Sequence, residues 1–457
     1  MKYSLVGERI GVLGLARSGL AAARLALARG AEVYASDAGN SEAAAEAAEQ
    51  IRRLGGQAET GRHDVEQLSA CDRIVLSPGI PPTAAILREP ALRSIPIIAE
   101  VELACEQLTS SIIGITGTNG KTTVTSILAH ILSEGGVHAV AAGNIGNAVS
   151  DLALADPQPE VVVLEVSSFQ LGSMERFAPE MGILTNLAPD HLDRYPSVEA
   201  YYADKARLFR NATGQSVWIL NGEDAAAREL PGDAPGQRYY FRIESTLPAD
   251  ERGGYLTGDG WLVLRTDGGD EKLLHRDELK ILGPHNIANA LAAAIAARLQ
   301  GMSAATIAEA LRSFRALDHR MEPVGEVDGV LWVNDSKATN IASTRVAIRS
   351  LDRPVVLLLG GRHKGEPYTE LLRDVRERVR CVIAFGEAAA RVEQDLSPQA
   401  SVARVDGDFE AVVRRAREIA RPGDAVLLSP ACSSYDMFSD YQERGNRFRT
   451  LVTGETR

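Results

Sequence analysis

Short apolar runs that end in small or polar residues, each followed by a helical period, recur along this chain. That is the pattern of strand–helix units whose strands are covered on both faces. The first unit spans residues 8–37. It has an apolar strand at 9–13, the turn Gly14-Leu15-Ala16-Arg17-Ser18-Gly19, an Ala/Leu helix to Ala28, and a second strand at 32–36 ending at Asp37. Further strands are predicted at 72–77, running into Ser77-Pro78-Gly79-Ile80-Pro81-Pro82, and at 95–98, before a helix at 100–107. The next group has strands at 112–115, 161–166 and 182–186, with helices from Thr122 through Ile131 and over 197–209. Residues 211–280 carry more Gly and Asp, with short alternating stretches at 217–220, 237–241 and 261–265 that predict an antiparallel excursion. An Ala-rich helix begins near Gly283-Pro284-His285-Asn286, with Asn286 placed to cap it and Asn289 one turn later on the same face. From about residue 317, strands at 330–333, 355–359, 381–385 and 425–428 each finish in polar or small residues. Those four describe one doubly wound sheet with its chemistry on one edge. The predicted fold class is α/β in three domains: a Rossmann-like domain at 1–98, a central P-loop-type ATPase domain at 99–316, and a C-terminal doubly wound Rossmann-like domain at 317–457.

Composition changes this picture little. The 457 residues agree with three domains at a prior of about 150 residues each. A formal charge of −12 argues against a nucleic-acid-binding surface, so any polyphosphate must be held by local loops. Cys71, Cys105, Cys381 and Cys432 lack paired metal-ligand spacing, which fits a reducing cytoplasm without a disulfide framework. No run reaches the ~20 apolar residues of a membrane span, and the first residues lack a signal-peptide core, so a soluble, cytoplasmic protein is expected. Lysine usage is more informative. Of 49 basic residues only seven are Lys, at positions 2, 121, 205, 272, 280, 337 and 364. Where Arg serves as the general surface cation, a retained Lys points to a need for a compact ammonium or for chemistry at its nitrogen.

The strongest candidate chemistry follows the strand at 112–115, in Thr116-Gly117-Thr118-Asn119-Gly120-Lys121-Thr122-Thr123. Glycines let backbone N–H groups close around an anion, and the helix N-terminus adds partial positive charge. Lys121 is placed to reach phosphates, and the Thr122 hydroxyl sits where such loops hold Mg²⁺. The spacing is not that of the common motif, because two residues rather than four separate Gly117 from Gly120. Glu165 breaks an apolar strand near its carboxyl end, and a carboxylate buried there needs a cation, either a metal on a bound polyphosphate or a buried Arg. His191, in Asp190-His191-Leu192-Asp193-Arg194-Tyr195, is either structural or a ligand. Lys205 reads from its spacing alone as a solvated helix lysine. The Gly14–Gly19 turn departs from G-x-G-x-x-G, and Asp37 sits where an acid would meet a ribose. This fits a dinucleotide, another nucleotide, or only a folding role. The Ser77-Pro78-Gly79 turn is either a ligand loop or a plain Pro-rich connection.

Further motifs follow in order: His285-Asn286-Ile287-Ala288-Asn289, Asn334-Asp335-Ser336-Lys337-Ala338-Thr339-Asn340, Gly360-Gly361-Arg362-His363-Lys364-Gly365 and Ser429-Pro430-Ala431-Cys432-Ser433-Ser434. With these and the phosphate loop, the chain resembles the Mur ligases over its whole length. Folylpolyglutamate synthetases share the ATP loop but not this first domain. The resemblance implies an ATP-dependent ligase of cytoplasmic peptidoglycan precursor synthesis. It would add D-glutamate to UDP-N-acetylmuramoyl-L-alanine through an acyl phosphate, with a sister ligase for another amino acid as the alternative. It also implies site residues. Lys121 and the backbone of Gly117, Thr118, Asn119, Gly120, Thr122 and Thr123 would hold the ATP phosphates. Two Mg²⁺ are implied, one on Thr122 and Glu165 and one on His191 and Lys205, the lysine as its N-carbamate. Asn286 and Asn289 would face adenine, Asp335 the ribose and Arg320 the γ-phosphate, with Lys337 beside the transferring group. The catalytic set is Lys121, His191, Lys205, Arg320 and Lys337. The UDP substrate would lie on Leu15, Ala16, Arg17, Ser18, Asp37, Ser77, Pro78 and Gly79, with Asn144 and His191 near its sugar or peptide. D-Glutamate would meet Thr339, Lys364, Ser434 and the ring of Tyr441, which could equally be core. The last domain would close onto ATP, and a monomer is expected. Outside the family, a nicotinamide-dependent dehydrogenase built on residues 9–37 leaves Lys121, Lys337 and Lys364 without roles. A non-catalytic nucleotide-binding regulator is the other alternative.

Overall fold

The computed structural model describes residues 3–80, 84–191 and 194–454. Pro81 and Pro82 of the second turn, and Leu192 and Asp193 of the histidine loop, lie outside the described residues. The chain packs as two compact units, Met1–Leu274 with Asn289–Ala310, and His275–Ala288 with Leu311–Arg457.

The first unit contains two sheets. One has β1 (Arg9–Leu13), β2 (Glu32–Asp37), β3 (Gln57–Thr60), β4 (Arg73–Leu76) and β5 (Ile97–Ala99), all parallel in the order β3-β2-β1-β4-β5. Ile10, Val12, Leu13, Ile74 and Val75 are fully buried, as strands covered on both faces require. The helix Glu100–Gln107 follows β5 and is buried along its whole length. Its acids are satisfied one by one. Glu100 accepts from the Ser150 amide at 2.8 Å, Glu102 from the Glu175 amide at 2.8 Å, and Glu106 from Arg73 at 2.7 Å.

The other sheet has nine strands: β6 (Ser111–Thr116), β7 (Ala139–Gly143), β8 (Val161–Glu165), β9 (Met181–Leu184), β10 (Val217–Asn221), β11 (Gln237–Arg242), β12 (Gly253–Leu256), β13 (Trp261–Thr266) and β14 (Gly269–His275). Their order is β14-β13-β12-β11-β10-β9-β6-β8-β7. The antiparallel excursion expected over 211–280 is therefore only partly present. β10 joins β9 in parallel, β11 joins β10 and β12 joins β11 in the same sense, and the direction first reverses between β12 and β13. Trp218, Ile219 and Leu220 are all fully buried, the continuous apolar run of a parallel strand. Gly222, Asp224, Gly232, Asp233 and Gly236 lie between β10 and β11, while Gly253, Gly254, Gly269 and Asp270 lie within β12 and β14.

The second unit is built on β15 (Glu322–Val327), β16 (Val330–Asn334), β17 (Val355–Gly360), β18 (Val379–Phe385), β19 (Val402–Arg404) and β20 (Ala425–Leu428). The order is β15-β16-β20-β17-β18-β19, with β15 antiparallel and the rest parallel. This is the doubly wound sheet the sequence predicts. The carboxyl ends of β16, β17 and β20 deliver Asp335–Lys337, Gly361–Lys364 and Ser429–Ser434 to one edge, where ligands sit in open α/β sheets.

Candidate active site

In the first unit the loop after β6 turns sharply into the helix Lys121–Glu134. Two glycines make the turn possible. Gly117 has φ +143°, and a Cβ there would stand 1.9 Å from Thr185 Oγ1. Gly120 has φ +84°, and a Cβ there would stand 2.5 Å from Asn289 Oδ1. The loop is braced from β9, since Asn186 Oδ1 accepts from the Asn119 amide at 2.9 Å and Thr185 donates to the Asn119 carbonyl at 2.6 Å. Lys121 lies across the loop, its ammonium donating to the carbonyls of Gly117 at 3.0 Å and Thr118 at 2.8 Å.

Lys205 corrects the reading from spacing. It is 1% exposed, and its nitrogen donates to the Gly117 carbonyl at 2.7 Å and stands 4.7 Å from the Tyr201 ring centroid. Burial, and next the Lys121 ammonium, hold its pKa well below the ordinary lysine value. Glu165, at the end of β8, is also 1% exposed. Its Oε1 accepts from Asn144 Nδ2 at 2.8 Å, while Oε2 is buried with no hydrogen-bond partner among the described residues. A buried Arg partner is therefore not what satisfies it, and the orphaned oxygen fits a cation. Asn144, expected at the UDP substrate, is tied to Glu165 by its amide group, and its backbone N–H donates to the Glu165 carbonyl at 2.9 Å. His191 has φ +55°. Its half-exposed ring lies edge-on to Phe169, with centroids 5.1 Å apart, and 3.8 Å from Asp190. Among the described residues, no three His, Cys, Asp or Glu side chains converge in a metal-binding group.

At the edge of the five-stranded sheet, Asp37 braces the turn that follows β1. Its carboxylate accepts from the amides of Leu15 and Gly39, both at 2.8 Å. The helix Arg17–Ala28 starts after Ala16 without a side-chain cap, leaving its first N–H groups for other acceptors. Leu15 and Ser77 are buried, while Arg17, Ser18, Pro78 and Gly79 are partly or fully exposed at the same strand ends.

In the second unit Asp335 is buried, accepting from Ser429 Oγ at 2.8 Å and the Met321 amide at 3.1 Å. Burial pushes its pKa up to about 7. An unfolded Asp titrates near 3.9, so between about pH 4 and pH 7 the folded chain holds a proton that the unfolded chain has lost. The stability contributed by that proton falls as pH rises through this window. Asp335→Asn, which mimics the protonated acid, is expected to gain stability on the wild type as pH rises from about 4 to about 7 and to keep that gain above it. Urea midpoints across that range check it. Lys337 lies 5.1 Å from the Tyr441 ring centroid, so Tyr441 serves as a platform for that lysine. Lys364 donates to Thr339 Oγ1 at 3.2 Å, which brings two expected amino-acid ligands together, and Ser434 is buried. Arg320 bears electrostatically on Asp335. Asn286 is not the predicted N-cap. The helix Pro284–Leu299 starts two residues earlier, with Pro at the first position where its missing N–H costs nothing, and Asn286 Nδ2 donates to the Leu282 carbonyl at 2.7 Å. Asn289 falls in the first unit, against Gly120.

The sequence reading missed Arg444. It is 0% exposed and donates to Ser336 Oγ, the Ser336 carbonyl and the Cys432 carbonyl. Burial lowers its pKa to about 10. A cation on the stripe Arg444, Phe448 and Val452 of the last helix was the available signal.

Three family models match the chain: the MurD-like N-terminal domain of Mur ligases over residues 8–99, the Mur ligase middle domain over 115–297, and the Mur ligase glutamate ligase domain over 319–432. The UDP-N-acetylmuramoylalanine–D-glutamate ligase of Salinibacter ruber is 42% identical over 450 residues, covering 97% of both chains. The chain belongs to the Mur ligase family. The similarly named ligase of Anaeromyxobacter dehalogenans is 40% identical over 99% of each chain. Solved Mur-type structures confirm the three-domain α/β fold of this Mur ligase. UDP-N-acetylmuramate-alanine ligase MurC from Thermotoga maritima aligns with TM-score 0.58 at 20% identity, covering 98% of this chain and 99% of its own. A pseudomurein peptide ligase type C from Methanothermus fervidus aligns with TM-score 0.58 at 19% identity, covering 92% and 96%.

Proposed function

We propose that this Mur ligase joins D-glutamate to UDP-N-acetylmuramoyl-L-alanine with ATP, as the names of its relatives describe for those proteins. The observation that carries the reading is the near-full-length identity with two such ligases. The grouping of Lys121 and Lys205 on the Gly117 carbonyl, with Glu165 on the strand beside β6, supports it.

The chemistry is one of charge. A carboxylate must attack the γ-phosphorus of a triphosphate, so negative approaches negative, and the site must supply fixed positive charge along the path. Lys121 and the loop amides take the phosphates. The buried Lys205 favours a neutral amine, the form whose lone pair can attack CO₂. The N–C bond would form as one C=O π bond of CO₂ opens, the nitrogen would lose a proton to solvent, and a neutral buried amine would become an anionic carbamate. Thr122, Glu165, His191 and this carbamate would hold two Mg²⁺. Magnesium would neutralise the phosphate oxygens and polarise the transferring phosphoryl group. In the second unit, Arg320, Lys337, Asp335 and Asn286 are the nucleotide-facing groups by family resemblance, and Lys364, Thr339 and Ser434 are the amino-acid ligands.

Attack by the carboxylate leaves one of its oxygens in the released phosphate once the D-glutamate amine has displaced it. UDP-N-acetylmuramoyl-L-alanine labelled with ¹⁸O in its carboxylate is therefore expected to pass label to inorganic phosphate, read by mass spectrometry. Unlabelled phosphate accompanying amide formation would refute the acyl-phosphate route.

A further inference from the structure

The second unit holds a hydrogen-bonded row of three side chains beneath the Lys364 loop. The Tyr368 hydroxyl is buried, 2.8 Å from Cys432 Sγ and 3.1 Å from His363 Nδ1. His363 is exposed and directly precedes Lys364, whereas Cys432 is fully buried two residues before Ser434. The row therefore runs from solvent to the base of the turn that carries Ser434. Burial keeps the Cys432 thiol up at about 11 and raises the Tyr368 phenol, so both hold their protons at neutral pH. Either partner can donate in each of the two bonds, so the tyrosine hydroxyl, which can donate one hydrogen bond and accept others, links the thiol and the imidazole.

Other contacts fix the flanks of this loop. The Arg362 amide donates to the Ser433 carbonyl at 2.9 Å, and Glu366 accepts from the Ile341 amide at 3.2 Å. Between them the chain is exposed from Arg362 to Pro367, and a long exposed lysine would lose much rotamer and loop freedom on binding an anion. We propose that His363, Tyr368 and Cys432 form a latch that holds Lys364 in place against Thr339, making all three positioning residues for the carboxylates of the amino-acid substrate. This rests on the assignment of Lys364, Thr339 and Ser434 to that substrate.

Tyr368→Phe keeps the ring and removes the hydroxyl. It is expected to raise the KM for D-glutamate about fivefold to tenfold, with kcat and the KM values for ATP and the UDP substrate within about twofold of wild type. Cys432→Ser retains a hydrogen-bonding group and should stay near wild type, while Cys432→Ala should follow Tyr368→Phe. Adding His363→Ala to Tyr368→Phe should cost little more, because one row is already broken. An unchanged D-glutamate KM, or a rise in every kinetic constant together with a lower Tm, would overturn the latch. A readout independent of turnover separates it from the function proposed above. In Tyr368→Phe, hydrogen exchange over residues 361–366 and alkylation of Cys432, mapped by peptide mass, should both be faster than in wild type. If the wild type shows no D-glutamate-dependent turnover, the substrate assignment falls, whereas unchanged exchange and alkylation remove the latch itself.

Discussion

Lys205→Ala is expected to lower kcat by about 10³-fold, the scale of losing a preorganised charge at the reacting phosphoryl group. The residue is buried beneath the Gly117 carbonyl, and burial shifts its pKa well below the ordinary lysine value, in the direction of the neutral amine that carbamylation needs. Lys205→Arg should fail as badly as alanine, since guanidinium cannot accept CO₂. Short carboxylates such as formate or acetate, added to the alanine variant, should recover part of the lost rate by entering the space of the missing carbamate. Circular dichroism and Tm controls separate this from misfolding. An arginine variant with wild-type turnover would exclude the carbamate.

Lys121→Ala is expected to reduce kcat/KM for ATP by about 10³-fold. Its ammonium sits over the Gly117 and Thr118 carbonyls, at the point where polyphosphate would otherwise meet only neutral backbone. Calorimetric ATP titration should show weakened binding as well, because ground and transition states share the contact. Wild-type ATP binding and turnover in this variant would move the phosphate site away from the β6 loop.

How much of this was legible in the sequence depended on whether the signal was local. Glu165 was legible because one acid interrupts an apolar run, and burial follows from the run itself. The carboxyl-edge loops of the second unit were legible for the same reason, each following a continuous apolar strand. Lys205 was not, because its burial comes from the helix packing under a loop 88 residues away, and the flanking Tyr, Ala and Asp show no apolar stripe. The strand directions over 211–280 failed because pairing is a property of the sheet, and Gly-rich connections imitate hairpin turns. Asn286 failed on a boundary of two residues, settled by Pro284. The His363–Tyr368–Cys432 row joins a loop to a turn 64 residues away, and no spacing rule connects them.

The most direct test of the central claim is phosphate release from Mg-ATP with UDP-N-acetylmuramoyl-L-alanine, comparing D-Glu, L-Glu, L-Lys, L-Ala and meso-diaminopimelate. Release that requires D-Glu is the predicted result. Release with one of the other amino acids would keep the fold and the charge chemistry but assign the chain to a sister activity. No release with any of them would contradict the ligase reading.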